Sequence, residues 1–191
     1  MNDRPLLKVI IASTRPVRIG DVIARWVVAR ASERGDFRVE LVDLRDVNLP
    51  LLDEPEQAST RRYVHPHSIA WSQSIDDADA FIFVTPEYNH SFNAALKNAL
   101  DFLYHEWHNK PVGLVAYGGV SSGVRSLQAL KPVVLALGLR FAGEVPVSTR
   151  LTPVVDGDFT PSEANERAAQ LMLDELARLD TLFRPLRTAK D

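Results

Sequence analysis

Three stretches of this chain combine residue types that can do chemistry at one point. Ser13-Thr14-Arg15 brings two hydroxyls and a guanidinium, Arg18 adds a second positive charge, and Ile19-Gly20 leads into a helical pattern. Hydroxyls, cations and free N–H groups converging at a helix start suit a phosphate monoester; a merely polar strand–helix connector has the same composition. Pro86-Glu87-Tyr88-Asn89 is rigid, polar and aromatic, and its backbone N–H and C=O groups suit the polar rim of a planar ring system. A plain turn with a helix cap is the alternative there. Gly118-Gly119, following Tyr117, offers backbone without side chains, for close approach to the same ring or as a flexible turn.

Two further patterns compete. Gly119-Val120-Ser121-Ser122-Gly123 fits G-x-S-x-G between a strand and a helix, the context of a hydrolase nucleophile. That triad needs a histidine after the serine, and His65, His67, His90, His105 and His108 all precede it. His65 and His67, or His105 and His108 beside Glu106, do not assemble three convergent metal ligands, so solvated loop histidines are the simpler reading.

The elements that must hold these stretches follow from hydrophobic periodicity. Leu6–Ala12 is a near-continuous apolar run, as in a strand buried on both faces. A helix from Asp21 places Val22, Ile23, Trp26 and Val27 inward and stops at Arg34-Gly35-Asp36. Phe37–Val42 alternates, with Phe37, Val39 and Leu41 on one side, which suits an edge strand. Asp43–His67 reads as proline-rich, charged loop, and Ser68–Asp77 as helix with Ile69, Trp71 or Ser72, and Ile75 inward. Phe81–Val84 reads as the end of a buried strand that Thr85-Pro86 stops, and Ser91 is placed to cap a helix carrying Ala95, Ala99 and Leu103 on one face. Strand Val112–Ala116, helix Val124–Leu137 and strand Phe141–Val147 follow. After loop Thr149–Phe159, Thr160-Pro161-Ser162-Glu163 reads as a capping box opening a last helix. Its stripe is Ala164, Ala168, Leu171, Met172, Leu176, Leu179 and Phe183.

Alternating strands and helices argue for a doubly wound α/β fold: a five-stranded parallel sheet with right-handed crossovers and helices on both faces. An edge-type second strand and buried first and third strands fit the order 2-1-3-4-5, whose ligand crevice lies between strands 1 and 3. The loops after those strands carry Ser13–Gly20 and Pro86–Asn89.

The run PEYNHSFNAALKNALDFL, Pro86–Leu103, resembles the signature of the NAD(P)H-dependent FMN reductase family, and the likeness extends from Val9 to about Val147. It implies a flavodoxin-like fold, bound FMN, and NADPH or NADH as hydride donor. It also implies ping-pong transfer to a quinone, free flavin, azo compound or similar small acceptor. Ser13 and Arg15 match the start of that family's phosphate loop, although Ala12 stands for its glycine and Ile19-Gly20 for a more usual Ser or Asn. The implied cofactor-binding set is Ser13, Thr14, Arg15, Arg18, Ile19, Gly20, Pro86, Glu87, Tyr88, Asn89, Tyr117, Gly118 and Gly119, with no catalytic side chain, because hydride transfer belongs to the two cofactors. The resemblance implies a homodimer or homotetramer, with Tyr104 and Trp107 as candidate contacts. Hand-off of reduced flavin to a monooxygenase partner stays open. A flavodoxin-like electron carrier without reductase activity is the rival reading, and the net charge of −3 gives little of the acidic face such carriers use.

Composition bounds the rest. The 191 residues, 46% hydrophobic and 25% charged, suit one soluble globular domain over residues 1–191. Neither the net charge nor any basic run points to nucleic acid or a membrane surface. The chain has no cysteine, which removes disulfides, thiolate nucleophiles and thiolate-bound metals. The apolar run at the N-terminus is too short for a signal or a span, so the expected location is cytoplasmic.

Overall fold

The computed structural model describes residues 4–188. In chain order the elements are β1 (Leu6–Ile11), α1 (Gly20–Arg34), β2 (Arg38–Asp43), the single-turn α2 (Leu44–Val47), α3 (Pro66–Asp76), β3 (Ala80–Pro86), α4 (Ala94–Asp101), β4 (Pro111–Gly118), α5 (Val124–Ala136), β5 (Arg140–Ser148), a small hairpin β6 (Val154–Val155) and β7 (Asp158–Phe159), and α6 (Glu163–Thr188). β1 to β5 form one parallel sheet in the order β2-β1-β3-β4-β5, the flavodoxin-like order expected from the sequence.

Each strand is buried on both faces except at the edges, and its alternate side chains feed two separate cores. Ile10, Phe81, Phe83, Val112 and Leu114 meet Trp71 of α3, Leu96 and Leu100 of α4, and Leu127 and Leu130 of α5. Leu7, Val9, Ile82, Val84, Val115 and Val145 meet Ile23, Trp26 and Val27 of α1 and Met172, Leu173 and Leu176 of α6. Full burial of such a side chain stabilises by about 1.5–3 kcal/mol, so both layers are needed. Lys8 lies within the apolar run of β1, its ammonium reaching Ser74 Oγ at 2.9 Å and Glu40 at 3.4 Å.

Several local expectations shift for identifiable reasons. Ser91 does not cap α4; its backbone pairs with Tyr88, and Asn93 precedes the helix instead. Leu103 lies beyond the end of α4, though buried. In α3 the inward positions are Ser68, Trp71 and Ile75, which leaves Ile69 41% exposed. Phe37 and Val39 pack inward, but Leu41 lies exposed along the edge strand. The stretch Asp43–His67 is more ordered than its composition suggests. It contains α2 and a 3-10 turn at Ala58–Thr60, and the Asn98 side chain clasps it by donating to Pro50 O at 2.7 Å and accepting from Leu52 N at 3.0 Å. The capping box of α6 is Ser162 with Asn165, exchanging bonds of 3.2 Å each way, because the helix starts at Glu163. Its inward stripe uses Ala169 and Leu173, and Leu171 faces out at 61% exposure. Trp107 is fully buried against Phe81 and Phe83, which removes it as a contact between copies. Among the described residues, no helix is long and apolar enough to cross a membrane.

Candidate functional site

Parallel pairing delivers the loops after β1, β3 and β4 to one edge of the sheet. A cavity of about 250 Å³ opens there, lined by Ser13, Arg15, Val17, Arg18, Ile19, Pro86, Glu87, Tyr88, Tyr117, Gly118 and Thr149. Nine of these belong to the set proposed from sequence; Val17 and Thr149 do not. The other four members take different places. Thr14 lines a neighbouring cavity, Asn89 and Gly119 are exposed at loop tips, and Gly20 is buried beneath Tyr117.

The first loop ends on an open helix terminus. Ile19 precedes α1 with no side chain capping it, so the first N–H groups of the helix are directed towards the loop that holds Ser13 and Arg15. Gly20 is required there for space rather than for turning. A Cβ would stand 2.6 Å from the Tyr117 hydroxyl. Arg18 is committed elsewhere. Its guanidinium forks onto Asp43, with one bond at 2.8 Å, and donates to Ser13 O at 2.8 Å. Burial would lower the Arg18 pKa, but the Asp43 carboxylate outweighs it and raises the pKa. Arg18 therefore braces the loop, and Arg15, exposed and without a carboxylate at ion-pair distance among the described residues, is the cation left for a ligand.

The second loop is a strained turn. Tyr88 and Ser91 exchange backbone bonds of 2.9 Å each, and between them Asn89 and His90 have φ of +48° and +69°. Two successive non-glycine residues in the left-handed region cost free energy that the surroundings must offset. Asn93 provides one anchor, donating to Ala12 O at 2.7 Å and bonding Thr85 Oγ1 at 3.2 Å. Glu87 provides the other: its backbone N–H donates to Tyr117 O at 2.9 Å. Its side chain leaves the cavity to accept from the Ser121 hydroxyl and from Arg125 N, at 3.1 Å, in the first turn of α5. Burial alone would raise the Glu87 pKa; the Ser121 hydroxyl, the helix N–H groups and the Arg125 guanidinium outweigh it and hold it below the usual carboxylate range.

This arrangement also decides the G-x-S-x-G question. Ser121 donates to Glu87, and no histidine approaches it. Gly123, at φ +82°, packs its Cα so close that a Cβ would lie 2.6 Å from the Ala116 carbonyl carbon. The glycines of the pattern close the β4–α5 turn around Glu87. Histidines elsewhere bond locally: His67 to Asp53, His105 to Ser59 O and His108 to Tyr104 O. Among the described residues, no group of three or more metal-ligating side chains forms.

One polar atom at the site is unsatisfied. The Tyr117 hydroxyl is buried without a hydrogen-bond partner among the described residues, directly over the start of α1. Ser13 lies close enough to influence its ionisation but does not complete a bond to it. Burial pushes the phenol upward, so it stays a donor. A buried orphan donor, an uncapped helix start, a hydroxyl and an unpaired arginine around one cavity are what a bound phosphate ester would satisfy. Asp43, Asn93, Ser121 and Arg125 hold the site in place, a role that sequence reasoning missed for all four, having weighed Ser121 only as a nucleophile. Only Ser121 carried a visible signal, the glycine–serine pattern around it.

Comparison with known proteins gives the family and the fold. Residues 6–150 match the family described as NADPH-dependent FMN reductase. The chain is 42% identical over 147 residues to an NAD(P)H-dependent FMN reductase of Schizosaccharomyces pombe, covering 76% of this chain and 73% of that one. It is 34% identical to one of Saccharomyces cerevisiae over 86% of this chain and 93% of that one. A solved structure of a flavoenzyme NAD(P)H:(acceptor) oxidoreductase from Paracoccus denitrificans superposes with a TM-score of 0.71 at 21% identity, covering 94% of this chain and 98% of that one.

Proposed function

We propose how the residues of this cavity divide the work, from the premise that the chain belongs to the NADPH-dependent FMN reductase family and is an FMN-dependent NAD(P)H oxidoreductase. The observation that carries the assignment is the single cavity lined by Ser13, Arg15, Pro86, Tyr88, Tyr117 and Gly118, with the Tyr117 hydroxyl lacking a partner. FMN, when bound, supplies the two-electron chemistry that takes hydride from NAD(P)H and passes it on.

The Ser13 hydroxyl, the Arg15 guanidinium and the first N–H groups of α1 hold the FMN phosphate, and Tyr117 donates to an oxygen of the same cofactor. The backbone of Pro86, Glu87 and Tyr88, with Gly118, lines the ring. Glu87 keeps its carboxylate in α5, so no negative side chain of that loop faces the ring. Ile19, half-buried, and the exposed Val17 flank the opening on one side. Arg18 and Asn93 act as positioning residues, fixing the two loops relative to β1.

Small-molecule acceptors such as quinones, free flavins or azo compounds would enter by the same opening as NAD(P)H. The described sheet and helices serve as one FMN-binding domain, working as a homodimer or homotetramer in the cytoplasm; sedimentation and cell fractionation test these last two points.

The deciding experiment is a visible spectrum of the purified protein after loading with FMN and removing the excess, followed by anaerobic NADPH or NADH. Flavin absorbance that is retained and then bleached supports the proposal. Retained flavin that neither nucleotide bleaches supports an electron carrier. Absence of both retained flavin and steady-state NAD(P)H oxidation with free FMN would falsify it.

A further inference from the structure

A second cavity adjoins the first. It encloses about 400 Å³ between α2, the segment after it and α4, and is lined by Leu44, Leu49, Leu51, Ala94, Ala95 and Ala99, with Thr14, Arg45, Asn48 and Asn98 as its polar members. That volume lies within the range of small-molecule sites. Thr14 stands between Ser13 and Arg15, which line the FMN cavity, so consecutive residues of one loop wall two neighbouring spaces. A ligand in the second cavity would therefore lie beside one held in the first.

The charges of this cavity are one-sided. Arg45 is the single charged residue in its lining, and no carboxylate lies at ion-pair distance from the Arg45 guanidinium among the described residues. Nearby Asp43 is already engaged with the Arg18 fork and with Arg45 N at 2.9 Å. The Asn98 amide is spent on Pro50 and Leu52, which fixes the wall formed by Leu49 and Leu51. A dinucleotide reader that bonds the adenosine ribose as a free 2′-hydroxyl presents a carboxylate to it, whereas one that accepts a 2′-phosphate presents an arginine. An arginine is pre-set for a phosphate by its planar fork.

We propose that this cavity receives the adenosine 2′-phosphate end of NADPH, with Arg45 binding the phosphate and the leucine and alanine walls flanking the adenine. The inference rests on the reductase reading and makes Arg45 the residue that separates NADPH from NADH.

The test is calorimetric binding of adenosine 2′,5′-bisphosphate and of AMP to the purified protein, together with kcat/KM for NADPH and NADH. The expected wild-type result is tighter binding of the bisphosphate. Arg45→Ala loses that preference and lowers kcat/KM for NADPH about 10- to 100-fold, with NADH changed no more than about 2-fold. Arg167→Ala, an equal loss of charge beside α1 and α6, leaves both ratios as they were. Ala95→Phe, which fills the cavity, weakens both adenine compounds.

Equal binding of the two compounds by the wild type, or an unchanged NADPH:NADH ratio in Arg45→Ala, overturns the proposal while flavin bleaching still upholds the reductase. An Ala95→Phe variant that changes the oligomeric state and leaves nucleotide binding intact also overturns it, assigning the cavity to contact between copies. Flavin that neither nucleotide bleaches is the separate failure of the reductase reading.

Discussion

Tyr117 shows how one side chain can cost stability and serve binding. A buried hydroxyl without a partner loses about 1–3 kcal/mol of hydration that nothing in the empty protein returns. Tyr117→Phe is therefore expected to leave the FMN-free protein as stable as wild type or more so, by thermal melting, while FMN affinity measured by fluorescence quenching falls about 10-fold. Glu87 behaves oppositely, because its carboxylate is stabilised where it sits. Its folded pKa is below the unfolded value of about 4.3, so the folded state binds fewer protons in that window. The stabilisation is present above the unfolded pKa and lost as pH falls through the folded one. Glu87→Gln should flatten the acid limb of a stability–pH curve from denaturant melts, and an unchanged limb would refute the assignment. These roles were invisible in the sequence: PEYN marked the position of Glu87, but nothing there indicated that its side chain turns away from the ligand.

Elements meet at few polar points, and these are sensitive. Asn93 joins the start of α4 to the ends of β1 and β3 while 5% exposed. Asn93→Leu leaves the Ala12 carbonyl without its side-chain donor, at a cost of about 1–3 kcal/mol in urea melts, and loosens the turn carrying Tyr88, so FMN release quickens. Lys110 closes the C-terminus of α3, donating to Ile75 O at 2.7 Å and Asp76 O at 2.9 Å. Burial lowers its pKa to about 8. Between that value and the unfolded pKa of about 10.4 the unfolded chain binds the extra proton, so this group makes stability rise with pH across the window. Lys110→Met should abolish that rise in melts compared at the window's two ends. Element identity and order were legible because strand runs and helical periods in this chain are long and continuous. The ends were less so. Ser91 and Thr160 have good capping chemistry, yet a Tyr88–Ser91 turn and the Ser162–Asn165 pair decide where α4 and α6 begin.

For the whole molecule, the proposed function has donor and acceptor use one opening in turn. Double-reciprocal plots of rate against NAD(P)H at several quinone concentrations should be parallel, and intersecting lines would mean that both bind together. The strand order and the crevice followed from one alternating strand and two solid ones, and the cavity gathers loops far apart in sequence as that order requires. What could not be read was the commitment of charges. Arg15, Arg18 and Arg45 look alike on paper, and only the position of Asp43 separates a brace from two free cations.

The placement of α6 has a consequence for synthesis on the ribosome. Every residue lining the first cavity lies at or before Thr149, but the cover for β4 and β5 arrives with Met172, Leu173 and Leu176, and Met172 Sδ presses against Gly113 so closely that a Cβ there would lie 2.6 Å from it. A nascent chain that has completed these loops still leaves the α6 side of β4 and β5 uncovered. Truncation short of Leu176 is therefore expected to leave those strands uncovered and to abolish flavin retention, read by limited proteolysis and by the visible spectrum of the truncated chain.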